Sequence, residues 1–126
     1  DGTLTTSTSD VRLKEGISTL KNSLSKVLTL RGVNFTWKSN PEMGNRIGFI
    51  AQEMELVFPE LVFTNETDGY KGVNYAEMSA VLVEAIKEQQ KIIEELRSKN
   101  AELENKVNEI DNLKAELESI KKLITK

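Results

Sequence analysis

This chain of 126 residues contains no histidine and no cysteine. The first absence removes the commonest metal ligand and the usual general base. The second removes disulfides, thiolate metal sites and nucleophilic thiols. Most routes to an activated nucleophile are thereby closed, and cysteine usage says nothing about redox compartment. An excess of charge of either sign is also missing: 17 basic against 20 acidic residues leave a net charge of −3, so there is no electrostatic footprint for nucleic acid. No apolar run approaches the roughly 20 residues of a membrane span, and Asp1-Gly2-Thr3-Leu4 does not open a secretory signal. The expectation is a protein without metal, cofactor, nucleic-acid partner or membrane contact.

Glycine and proline are scarce, and their placement divides the chain. Both prolines, all seven glycines and every aromatic residue except Tyr75 lie before Asn74. From Asn74 onward Leu, Ile, Glu and Lys dominate, which predicts one long helix behind a compact mixed unit. The expected organisation is a Thr/Ser-rich linker over residues 1–8, following something larger upstream, then a globular core over 9–74 and a helix over 75–126. Asn74 is a suitable cap, Glu77 stands at the third helical position of a capping box, and Val73 with Met78 forms a hydrophobic staple.

Within the mixed part, Ser9 or Asp10 is placed to cap a helix carrying Ile17, Leu20, Leu24, Val27 and Leu28 on one face, ended by Gly32. Val33, Phe35 and Trp37 alternate as a half-buried strand, broken by Ser39-Asn40-Pro41. Ile47 to Ile50 leads into a helical turn from Ala51 that Pro59 stops. Val62-Phe63-Thr64 and Tyr70 to Val73 flank Asp68-Gly69 as a hairpin. The fold class is therefore α+β: a small helix/strand domain followed by a long C-terminal helix. A core of roughly 65 residues buries too little surface to be secure alone, so oligomerisation is expected.

The helix supplies the means. Apolar residues recur at 3–4 spacing from Met78 to Ile124, the pattern of a coiled coil. A register through Ile92 places Lys99 and Lys106 in the seam. One through Ile86, Ile93, Asn100, Leu103, Val107 and Ile110 avoids both lysines, with a three-residue stammer before Leu113. The second is preferred, because one buried Asn sets register whereas two buried lysines mainly destabilise. About 50 residues at 1.5 Å each make a rod near 75 Å. Mixed Leu and Ile in the seam do not decide between two and three strands.

One polar pair remains as candidate chemistry. Ser9 and Lys14 stand five residues apart, and a serine whose proton passes to a lysine amine is among the few nucleophiles available without His or Cys. Residues at this spacing do not share a helix face. Ser9 is therefore expected in an extended lead-in, with Lys14 on the first turn reaching back. A lysine at its reference pKa of about 10.4 is a poor base, so Lys14 needs desolvation or a neighbouring cation. Arg12 is one source of such charge, with pairing to Asp10 as the alternative. A plain N-cap with a solvated lysine explains the same residues. Gln52 and Glu53 read as part of a strand-to-helix packing motif, with Glu53 holding a backbone or basic partner.

Several ordered motifs carry a resemblance. Ser9-Asp10-Val11-Arg12-Leu13-Lys14-Glu15-Gly16-Ile17, Val33-Asn34-Phe35-Thr36-Trp37-Lys38, Ile47-Gly48-Phe49-Ile50-Ala51-Gln52-Glu53 and Phe58-Pro59-Glu60-Leu61-Val62, with Val73-Asn74-Tyr75 and Leu82 to Lys87 behind them, resemble the endosialidase-type C-terminal intramolecular chaperone domain. That family ends phage tail spikes, tail fibres and neck appendages. The resemblance covers residues 9 to 96, and the rest matches only as coiled coil. It implies a homotrimer that aligns an upstream fibre or spike of the same polypeptide in the host cytoplasm during virion assembly. It further implies a single autocatalytic cut before the motif serine, at Thr8–Ser9, with Ser9 as nucleophile, Lys14 as general base, and Asp10 and Arg12 in support. A trimerising or receptor-binding tip that stays attached is the alternative. Regulatory use in membrane-tethered eukaryotic transcription factors is a third possibility, disfavoured by the absence of a membrane span and of a basic region.

Overall fold

Asn74 starts the dominant element as its position predicts. Its side chain accepts a hydrogen bond from the Glu77 backbone N–H at 3.2 Å, and the helix α3 then runs unbroken over Tyr75–Ile124. A computed structural model describes residues 8–125; the 1–8 linker, Thr8 excepted, lies outside the described residues. Met78 belongs to the buried apolar cluster and Val73 packs against that cluster, the side of the helix on which the staple was expected.

Two small hairpins precede the helix. Strand β1 (Val33–Phe35) pairs antiparallel with β2 (Arg46–Gly48), and β3 (Val62–Thr64) with β4 (Lys71–Val73). Trp37 closes a single bridge to Asn40 instead of extending β1, and its ring meets Phe35 edge-on at 5.0 Å. The β3–β4 turn is built as the sequence indicates: Gly69 takes φ +75°, and the Asp68 carboxylate accepts the Tyr70 N–H at 2.9 Å. The Asn74 N–H then reaches the Leu61 carbonyl at 2.7 Å, tying the start of α3 to the hairpin.

The core is small and sits where α3 meets the short helix α2 (Ala51–Glu55) and the turn Pro59–Leu61. Met54, Phe58, Leu61, Met78 and Val81 are buried together, with Val27, Leu30 and Phe49 among the residues packed around them. Pro59 was expected to stop the helical turn from Ala51. That turn ends at Glu55, and Pro59 instead opens a 3-10 turn, a first position where its fixed φ and missing N–H cost nothing.

The N-terminal segment departs from expectation. Only a 3-10 turn, Val11–Leu13, and a short helix α1, Ser23–Val27, form where one continuous helix was predicted. Gly16 and Asn22 both adopt positive φ, +63° and +59°, which interrupts any helix between them. Ile17, Leu20 and Leu28 are consequently exposed and share no buried face. Asn22 gives α1 no side-chain cap. The cap comes from 65 residues away: Glu88 of α3 accepts the Ser23 and Leu24 backbone N–H groups at 3.3 and 2.6 Å. A carboxylate there satisfies otherwise orphaned donors and favours the positive end of the turn.

Candidate peptidase site

The chain enters the fold through Thr8, Ser9 and Asp10, which are not helical. The Asp10 carboxylate caps the first turn, accepting the Arg12 N–H at 2.8 Å, and also holds the Arg12 guanidinium at 3.0 and 2.8 Å. That turn ends at Lys14, whose N–H bonds the Val11 carbonyl at 3.1 Å. One tight turn therefore reverses the chain direction enough for Lys14 to reach back, as the five-residue spacing required. The Lys14 Nζ donates to the Ser9 Oγ at 2.6 Å.

Arg12 does not approach the lysine as a depressing charge; it is taken by Asp10. The guanidinium side chain and the Arg12 backbone N–H both favour the Asp10 carboxylate, holding its pKa below the ordinary value against slight desolvation. The pairing raises the Arg12 pKa in turn. Because the folded pKa of Asp10 is depressed, its contribution to the turn is complete above the usual carboxylate range and fades only as pH falls below it. All of these groups are at the surface, so the ion pair organises the turn more than it stabilises the fold.

Ser9 and Lys14 are both exposed, and so are the apolar residues beside them: Val11 is 68 %, Leu13 75 % and Ile17 67 % exposed. Among the described residues of one chain nothing covers the amine, and the hydrogen bond runs from amine to hydroxyl. The arrangement supplies a positioned nucleophile and a positioned amine; it becomes a base only where the surroundings remove the amine's proton.

The second motif resolves into packing. Glu53 receives a two-point contact from Arg31, with the Arg31 Nη2 2.9 Å from Glu53 Oε1, the basic partner expected for it. Gly48 is required for closeness: a Cβ there would lie 2.7 Å from the Tyr75 hydroxyl, which accepts the Phe49 N–H at 3.0 Å. Gln52 lines a cleft of about 690 Å³ between the hairpins, with Phe35, Trp37, Phe49 and Tyr75. No residue from Ser9 to Lys14 lines it. Glu88 was not singled out from the sequence, although a carboxylate in line with Met78, Val81 and Ala85 was a readable signal. Among the described residues no acidic cluster fit to hold a metal is present, and no helix is long and apolar enough to cross a membrane.

Residues 9–63 match the model of a peptidase family described as chaperone of endosialidase. The match begins at Ser9 and ends in β3, so the motifs Val73-Asn74-Tyr75 and Leu82 to Lys87 lie beyond it. The chain matches no curated protein. Over that segment, less than half of the chain, the sequence is similar to the endosialidase-chaperone family.

Proposed function

We propose that this domain assembles as a homotrimer through α3, aligns an upstream phage fibre or spike of the same polypeptide, and then severs the Thr8–Ser9 bond once. The observation that carries the catalytic part is the 2.6 Å contact between Lys14 Nζ and Ser9 Oγ. In the reacting state Lys14 is neutral and takes the hydroxyl proton. The Oγ adds to the Thr8 carbonyl carbon through a five-membered ring. The C–N bond breaks, the Ser9 nitrogen receives the proton from Lys14, and Thr8 is left as an ester on the Ser9 oxygen. A water deprotonated by the same amine hydrolyses the ester, freeing the Thr8 carboxylate and restoring the hydroxyl. The nucleophile is part of one product, so each chain reacts once.

Assembly supplies what a single chain lacks. Val11, Leu13 and Ile17 flank the pair and are uncovered, so subunits that bury them also exclude water from the Ser9–Lys14 pair. Cleavage is thereby tied to completed trimers in the host cytoplasm, and discarding the scaffold makes assembly irreversible. The test is the chain behind its upstream segment, with Ser9→Ala, Lys14→Ala and Lys14→Arg. Each variant is expected to stay full-length yet trimeric, the arginine included because a guanidinium is effectively never deprotonated. Unchanged cleavage in Lys14→Ala would remove the dyad and leave a trimerising chaperone cut by some other means.

A further inference from the structure

The fold spends one side of α3 on its own domain. Met78, Val81 and Ala85 are buried, Glu88 caps α1, and Ile92 lines a groove with Asn22, Leu24 and Ser25. These positions form a single stripe, and its continuation is the seam that would contain Lys99 and Lys106. At Ile92 that stripe borders a groove against the chain's own α1, although Ile92 itself is 46 % exposed. The apolar stripe left free passes through Ile86, Ile93, Leu96, Leu103, Val107 and Ile110, each 37–63 % exposed, with Asn100 in line.

Taking Ile86, Ile93, Asn100 and Val107 as the a positions makes Leu96, Leu103 and Ile110 the d positions. The flanking g positions are then Lys99 and Lys106, and the flanking e positions Glu104 and Asp111. Between parallel, in-register helices a g residue faces the e residue five places on in the neighbour. Lys99 thus meets Glu104, and Lys106 meets Asp111. Beyond the stammer Leu113, Leu117, Ile120 and Ile124 continue the seam, and Glu116 meets Lys121 in the same way. Ile92, the preceding g position, faces Arg97 and carries no charge match; each of the three charged pairs is of opposite sign. An antiparallel arrangement of the same heptads sets lysine against lysine and acid against acid. Among the described residues Lys99, Glu104, Lys106 and Asp111 make no ion pair within the chain; Lys121 is already 3.7 Å from Glu118, so the first two pairs carry more of the weight. A shift by one heptad sets Asn100 against Val107 and brings Lys99 against Arg97, so asparagine and charges favour the same register.

We infer that the partner of this face is a second copy of the same chain, parallel and in register, held by reciprocal Lys99–Glu104 and Lys106–Asp111 contacts between subunits. The inference rests on the reading that copies assemble through α3, and adds that their orientation is encoded in four charges. Parallel register matters to the proposed chaperone because it delivers all upstream segments to one end.

Two double variants of the full chain test it: Lys99→Glu with Lys106→Glu, and Glu104→Lys with Asp111→Lys. Sedimentation equilibrium at low ionic strength should show wild type assembled and each variant at least roughly tenfold weaker in self-association, since like charges face each other. An equimolar mixture of the two should recover mixed assemblies, which a folding defect in either variant would not permit. Variants that self-assemble like wild type, or a mixture that gains nothing, overturn the inference while leaving assembly through α3 intact. A wild type that sediments as a monomer overturns both.

Discussion

The two halves of the 50-residue helix α3 share a predominance of Leu, Ile, Glu and Lys but have opposite surroundings. Its first turns bury Met78, Val81 and Ala85 and hold α1 through Glu88. Every described residue from Gln89 to Thr125 is exposed, including Leu96, Leu103, Ile110 and Leu117. An apolar stripe of this length stays soluble in a single chain only at considerable cost, so its periodicity is best understood as addressed to other copies. The contrast teaches that one continuous helix is split in use: its first turns complete a small core, and its free half is the surface through which assembly is proposed.

The largest effect is expected where the first job is concentrated. Phe58 is 3 % exposed, sits against Met54 and Leu61, and carries the Lys26 amine 5.3 Å above its ring. Phe58→Ala should cost about 3–5 kcal/mol, most of what a core this size supplies. Circular dichroism on heating should then show the globular transition lost while the helical signal of assembled α3 persists. Loss of both together would mean the halves are not separable. Glu88→Ala should come next, at about 1.5–3 kcal/mol for two hydrogen bonds to a charged acceptor, with Glu88→Gln milder. Chemical denaturation checks this against Glu95→Ala, and equal effects would deny Glu88 its capping role. The smallest effect is expected in the free half. Asn100→Leu should raise the melting temperature of the assembly while loosening its register, whereas Lys99→Leu, which gives up the contact with Glu104, should not raise it. The reverse order would place Lys99 in the seam and return Ile92 to it.

What the sequence made legible was mostly local. Asn74 and Val73 mark the start of α3 by side-chain chemistry within four residues, and Asp68-Gly69 marks its hairpin by turn chemistry. Ser9 and Lys14 were legible because a five-residue spacing excludes a shared helix face and so demands a turn between them. The segment from Glu15 to Asn22 was misjudged because Ile17, Leu20 and Leu24 have helical spacing, whereas Gly16 and Asn22 take left-handed backbone that spacing does not reveal. The cap of α1 was unreadable for a different reason: its acceptor lies on another element, 65 residues on. Arg12 had two candidate partners, and only the folded turn shows that Asp10 holds it.

The central claim is that Ser9 and Lys14 cut the bond before Ser9 in response to assembly. The most direct measurement is the intact mass of the chain, followed over time as its concentration is raised through the assembly threshold. The account predicts a full-length mass while chains are dilute. Once they associate, it predicts loss of Asp1 to Thr8 and a new N-terminus at Ser9. A new terminus elsewhere, or the same cleavage rate in dilute and assembled chains, would contradict it.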